Sequence, residues 1–510
     1  MKRYFSRATF ISFIIIIFYF PLAQMKLNII KSGSLNGVIF QVQYPELNLT
    51  DLLSGKYQSQ FNDWWNQNFG LRAEFTKTCN QFYYAMFHET RTGSDVFVER
   101  DKQLIEHAYL DVYFQNLTST QESQLEQYVI ELKKAQDLLK QRGKALLLVI
   151  APVKSFIYPE YIPHRLTIFG DKAVKNGYDV LIPLLGKYGV NYVDGDKITR
   201  EHKQTDNFPM FSHGSVHWNH IAADYTTIAM YKKIGVLLNK SVPQISIKSI
   251  VGSSAEGDDI DLARLLNVWH PPINYLAPQV QINVNENAFK PSIVINGDSF
   301  FTNMIYTLNK YNLFNYLDFY FYYSTHIQYM DGVVNNLGNS GKMDWNSVLS
   351  HDAVVIEIRE GMPLQIGDGF IHDLLTQLEP KKLNFSHINT DYVTKVQDGD
   401  SEKFIFKKGA RASDTLYLDT DTLSLGPGKK YTLSYTANGF STLVSDLYHD
   451  DLPKYRNTNI TDTPTGFSFD FTSDSPNMKN AKLRFFINGL AQFTDKDTII
   501  YDIKLTERTK

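Results

Sequence analysis

Two short runs carry residue types suited to acyl transfer. In residues 293–301, Ile-Val-Ile-Asn-Gly-Asp-Ser-Phe-Phe, an apolar strand ends at Gly297 and Asp298 and hands Ser299 to the start of a helix. A serine at such a strand-to-helix turn stands at the mouth of a sheet. The N–H groups of the turn then face an oxyanion developing on a bound carbonyl. The second run, Gly214-Ser215-Val216-His217-Trp218-Asn219, offers His217 as the base. An imidazole with a pKa near neutrality suits proton removal from a serine hydroxyl. Each run also has a plainer reading: Ser299 caps the helix, and His217 is a hydrogen-bonded structural histidine beside Trp218. His213 and His220 lie nearby, but their spacing fits no usual zinc pattern, so no metal site is expected.

The elements that would position these residues read as an α/β pattern. Residues 118–141 are amphipathic at helical spacing and end at Gly143, a C-cap residue. Residues 145–150 form a continuous apolar run of strand length, as expected of a parallel strand covered on both faces. Helices are predicted over 171–188, 221–238, 301–312 and 370–378, and strands over 190–193, 292–295 and 353–358; residues 240–288 read as irregular and polar. The alternation implies an open, mostly parallel sheet with helices on both faces. Upstream, residues 96–98 and 104–105 read as short strands around Arg100-Asp101-Lys102. The aromatic helical pattern of 61–87 predicts side chains that are mostly core. Beyond about residue 386, short alternating segments separated by turns such as Gly426-Pro427-Gly428 predict a β-sandwich.

At 510 residues the chain exceeds one ordinary core, so several domains are expected: 1–25, 26–95, 96–385 and 386–510. A net charge of −3 gives no global field for nucleic acid, and one cysteine, Cys79, excludes an internal disulfide framework. Lys2, Arg3 and Arg7 precede an apolar stretch from Ala8 to Ala23, which no small-x-small cleavage site follows. This is expected to be an uncleaved membrane anchor, with a cleaved signal peptide as the alternative. Its basic flank points to the cytoplasm and puts the remainder on the extracytoplasmic, periplasmic face.

Taken in order, several stations resemble the alginate O-acetyltransferase family of AlgX/AlgJ type, which has an SGNH-hydrolase-like domain. They are Trp64 to Arg72, Val96 to Ile105, Ala151-Pro152-Val153-Lys154 with Tyr158-Pro159-Glu160, His217-Trp218-Asn219, and Gly297-Asp298-Ser299-Phe300. The resemblance implies a catalytic Ser299 and His217, a nucleophile turn at Gly297 and Asp298, and substrate contacts from Lys154, Tyr158, Trp218 and Asn219. One departure stands out. The family often shows Asp-x-His-Trp, whereas Ser215 occupies the Asp position here. The orienting group is left open between Ser215 itself, Asp206, Glu357, Glu360 and a Ser–His dyad. The sandwich would correspond to a carbohydrate-binding module, in which Tyr417, Tyr431, Tyr435, Phe440 and Tyr448 could give stacking surfaces, although their place on alternating strands makes most of them core.

The function expected on these grounds is O-acetylation of a bacterial exopolysaccharide, alginate or another, through an acetyl-serine. No cofactor is needed. The acetyl group would be passed across the membrane by an integral-membrane acyltransferase. The rivals are a carbohydrate acetyl esterase of the same fold and a non-catalytic polysaccharide-binding or assembly protein.

Overall fold

The computed structural model describes residues 2–37, 42–90, 96–98, 100–162, 164–168, 170, 173–285, 288–339, 344–379, 383, 385, 387–388, 391–398, 401–410, 414–419, 430–439, 441–448, 454–460, 464–472, 482–487 and 496–508. Residues 171–172, the turn Gly426-Pro427-Gly428 and Phe440 lie outside these. The chain forms two compact units. The first is Met1–Gln136, Lys144–Met343 and His351–Ile371; the second is Asp137–Gly143, Asp344–Ser350 and His372–Lys510.

The strands of the first unit are β1 (Val96–Val98), β2 (Leu104–Glu106), β3 (Ala145–Ala151), β4 (Tyr192–Asp194), β5 (Ile245–Ser254), β6 (Leu276–Val284), β7 (Ile293–Gly297), β8 (Tyr316–Phe321), β9 (Thr325–Met330), β10 (Val333–Gly338) and β11 (Ala353–Arg359). Seven of them make one sheet in the order β10-β9-β8-β7-β11-β3-β4. The pairs from β8 through to β4 are parallel, and β9 and β10 add an antiparallel hairpin at one edge. β3, β7 and all but the last residue of β11 are buried along their length. Burying each of their Val, Ile or Leu side chains contributes about 1.5–3 kcal/mol, which is why continuous apolar runs become central strands. The in-register pairing of Ile356 with both Asn296 and Leu148 aligns the carboxyl ends of β3, β7 and β11. Ligands of open α/β sheets bind outside such ends.

Residues 240–288 are not irregular. β5 and β6 form an antiparallel pair, and the short helix Asp261–Leu265 lies between them. These strands mix polar and half-exposed positions and so carry no continuous apolar run. The aromatic segment also departs from expectation. It folds as two helices, Lys56–Asn68 and Arg72–Phe87, but neither buries its aromatic residues: Phe61, Trp64 and Trp65 of the first are half-buried, and Phe75, Phe82 and Phe87 of the second are exposed. Periodicity identifies an amphipathic helix without saying what covers it. At the N-terminus, helix Lys2–Leu27 includes an apolar stretch, Thr9–Leu27, long enough to cross a membrane and of a kind also found in signal sequences.

The second unit contains a β-sandwich of β12 (His387–Ile388), β13 (Val393–Asp398), β14 (Ser401–Phe406), β15 (Thr415–Asp419), β16 (Lys430–Asn438), β17 (Ser441–Tyr448), β18 (Lys454–Ile460), β19 (Thr465–Thr472), β20 (Lys482–Ile487) and β21 (Thr498–Arg508). Its sheets run β12-β15-β20-β17-β18 and β13-β14-β21-β16-β19. Tyr431 and Tyr435 are buried in the apolar core with Phe404, Phe406 and Phe485, Tyr417 is half-buried, and Tyr448 ends β17.

Candidate active site

The nucleophile turn is built at the end of β7. Asp298 caps it by accepting the Phe300 N–H at 2.7 Å, and the helical turn Ser299–Phe301 runs into helix Thr302–Lys310. Arg359, at the end of β11, fixes the other Asp298 oxygen with an Nε contact of 2.6 Å; its remaining donors reach Tyr109 and Gln365. Beneath the turn, the buried Glu357 accepts the Asp298 N–H at 2.9 Å. Burial, reinforced by the Asp298 charge, holds the Glu357 carboxyl well above the usual carboxylate range. Gly297 is required here by space: a Cβ at this position would stand 2.9 Å from Glu357 Oε2 and 3.0 Å from its Cβ.

The base arrives on a closed loop. The Asn219 N–H donates to Met210 O, Phe211 bridges Trp218, and the Asn219 side chain then caps helix His220–Leu238. Lys154 fills the loop from within. Its Nζ lies 2.8 Å from the carbonyls of Ser212 and His213, 3.0 Å from that of Leu104 and 3.3 Å from that of Ser215. Burial pushes its pKa down to about 7, with the Asp261 charge opposing. The Trp218 indole donates to Phe300 O at 2.7 Å, and the Asn303 amide donates to Trp218 O at 2.8 Å. The two loops are thereby joined directly.

These supports bring His217 Nε2 to 2.9 Å from Ser299 Oγ. Behind the imidazole, His217 Nδ1 lies 2.6 Å from Asp261 Oδ2. The other Asp261 oxygen accepts the N–H groups of Val216 and Leu262, so this carboxylate holds both the ring and the backbone beside it. Burial works to lower the His217 pKa, but the Asp261 hydrogen bond and charge outweigh it, so the imidazole titrates above its ordinary value. Such a chain is suited to nucleophilic catalysis, in which an imidazole takes the serine proton and a carboxylate fixes its tautomer and supports its cation.

None of the four orienting candidates stands behind His217. Ser215 Oγ donates to the His217 carbonyl at 2.8 Å, supporting the loop and not the ring. Asp206 is engaged by Tyr225 and His202. Glu357 underpins the nucleophile turn, and Glu360 accepts the Val153 N–H at 2.9 Å. The residue that fills the role is Asp261, which the sequence reading missed. It lies 44 positions from His217, on the short helix of a segment taken as irregular. The available signal was the acidic run Asp258-Asp259-Ile260-Asp261 ahead of an apolar helix start. The substrate contacts expected of four further residues are also corrected, because all four are buried. Lys154 clamps the loop, the Tyr158 hydroxyl accepts the Met210 N–H, Trp218 ties the loops together, and Asn219 is a helix cap. All four position the base.

Residues 112–303 match the family described as SGNH hydrolase-like domain, acetyltransferase AlgX, a span that includes His217, Asp261 and Ser299. No curated protein matches the chain. Among solved structures, the O-acetyltransferase domain of Pseudomonas putida AlgJ is 15% identical, covering 56% of this chain and 98% of that one at a TM-score of 0.37. Pseudomonas aeruginosa AlgX is 12% identical, covering 86% of this chain and 98% of that one at a TM-score of 0.33. The CBM22-1 xylan-binding domain from Paenibacillus barcinonensis is 12% identical, covering 25% of this chain and 93% of that one at a TM-score of 0.17. Over residues 112–303, therefore, the chain is similar to the SGNH hydrolase-like domain of the AlgX acetyltransferases.

Proposed function

We propose that the protein is a polysaccharide O-acetyltransferase that works through an acetyl-serine on Ser299. The observation that carries this reading is the unbroken hydrogen-bonded chain from Ser299 Oγ through His217 to Asp261. In the first half-reaction His217 Nε2 takes the hydroxyl proton as Oγ bonds to the donor's acetyl carbon. The protonated imidazole then returns the proton to the leaving group. In the second half-reaction His217 deprotonates a glycan hydroxyl, which attacks the acetyl carbon, and the imidazolium returns that proton to the departing Ser299 Oγ. The AlgX family match supports acetyl transfer over simple hydrolysis. The apolar helix Thr9–Leu27 agrees with a site held on the extracytoplasmic face, where an integral-membrane acyltransferase would supply the acetyl group to an exopolysaccharide acceptor.

The test is to incubate the protein with an acetyl ester and glycan oligomers and follow both acetate and acetylated oligomer. Ser299→Ala is expected to abolish acylation and transfer, with a loss on the order of 10⁶ in kcat. Acetate without acetylated oligomer would make the protein an esterase. Failure of a fluorophosphonate to label Ser299 would remove the catalytic reading altogether.

A further inference from the structure

The hairpin joining β8 to β9 is made of Tyr322, Tyr323 and Ser324, and both tyrosines are left-handed, with φ of 49° and 52°. Asn and Gly take such positions readily; for bulky residues they are genuine outliers, and such outliers gather at functional sites. The conformation is enforced locally. The Tyr322 N–H donates to the Gly297 carbonyl at 2.9 Å, extending the β7–β8 ladder by one bond onto the strand that carries the nucleophile turn. The ring is 41% exposed, so burial does not account for a tyrosine here. Its hydroxyl instead lies 3.4 Å from Ser299 Oγ. It also lines a small polar cavity with Asn296, Gly297, Asp298 and Arg359.

We propose that Tyr322 is a catalytic residue that donates its O–H to the oxyanion formed on the acyl carbon. The proposal rests on Ser299 acting as the nucleophile. In the free enzyme Ser299 donates to His217 Nε2, leaving an Oγ lone pair to accept from Tyr322. When Oγ bonds to the carbonyl carbon, its proton passes to His217 Nε2 and the carbonyl π pair moves onto oxygen. That oxygen is attached to the same carbon as Oγ and carries the new negative charge, whereas Oγ has lost basicity. The Tyr322 O–H, already facing Oγ, turns to the stronger acceptor without transferring its proton. Together with the Ser299 N–H at the start of the helical turn, it gives the oxyanion two donors. Collapse of the intermediate returns the pair to the carbonyl and expels the leaving group, which takes the proton from His217. The left-handed turn is what brings a tyrosine, the longest neutral O–H donor, to this place.

Tyr322→Phe retains ring and turn. It is expected to lower kcat for an acetyl ester on the order of 10²–10³-fold, as loss of one oxyanion donor does, with KM within about twofold. A loss under tenfold, or one carried by KM, overturns the proposal. Replacing Tyr322 with 3,5-difluorotyrosine keeps the shape but makes the phenol a stronger acid. This variant is expected to show a basic limb in its kcat–pH profile that the wild type lacks. Absence of that limb overturns the proposal even if the phenylalanine variant fails to fold. Fluorophosphonate labelling of Ser299 in the wild type separates the two readings. Labelling with an unimpaired Tyr322→Phe enzyme sinks only the tyrosine's role, whereas no labelling sinks the nucleophile and the tyrosine together.

Discussion

Ser299 and Asp261 sit at opposite ends of one hydrogen-bonded chain but are held by different kinds of structure. Ser299 follows β7, a strand buried throughout and paired on both sides, and its turn is braced by Glu357 and Arg359. Asp261 opens a five-residue helix between two half-exposed strands, docked on the histidine loop through Ala263, Gly214 and Tyr275. On the proposed mechanism, the difference reflects what each group must do. A nucleophile must meet a carbonyl and its oxyanion donors in a fixed direction, which a parallel ladder enforces. The acid needs only to present one oxygen to His217 Nδ1, so any segment that reaches the ring can deliver it. This is how Ser215 can occupy the position two residues before the histidine without loss of the carboxylate.

The comparison breaks most sharply at Asp261. Asp261→Asn is expected to lower kcat by about 10⁴-fold, as in other triads that lose the carboxylate but keep its shape. The pH profile adds an independent check. The base must be neutral, so kcat/KM rises with pH through the raised His217 pKa, and the acid limb of the wild type lies above that of an ordinary imidazole. Removing the Asp261 charge removes the largest of the influences that raise that pKa, ahead of Asp258 and Asp298, so the limb of the variant moves to lower pH. An unmoved limb with full activity would show that Asp261 is ornamental to the chemistry. A smaller effect is expected on the rigid side. Gly297→Ala forces a Cβ against Glu357, and a displacement of the turn near 1 Å costs on the order of 10²-fold in kcat/KM. The smallest effect on the chemistry is expected at Lys154→Met, which removes the charged donor's hydrogen bonds to the loop carbonyls and costs about 1.5–3 kcal/mol of stability in urea unfolding. If that variant instead loses activity with stability intact, Lys154 acts on the reaction and not merely on the loop.

The buried strands 145–151, 293–297 and 353–359 were legible because a parallel strand covered on both faces must be apolar throughout. Ser299 and His217 were legible because each lies in a local arrangement, strand to turn to helix and loop to helix. Asp261 was not, since its partner is distant in sequence and its own surroundings are polar. Lys154, Tyr158, Trp218 and Asn219 were found as positions but misread as substrate contacts. Sequence records that a polar residue is present; whether it faces a cleft or a ring of backbone carbonyls depends on packing. The aromatic helices of 56–87 show the same limit from the apolar side.

The tie between Trp218 and Phe300, doubled by Asn303, has a consequence for motion. Base and nucleophile loops are stitched to each other through buried side chains, so thermal opening must release both or neither. The Asp261 helix is tied to the histidine loop by a different set of bonds, among them Val216 N–H to Asp261 and Ala263 N–H to Gly214 O, and is expected to open separately. Slow amide exchange would then report one shared protection factor for residues 217–219 and 300–303 and a separate, lower one for 261–265.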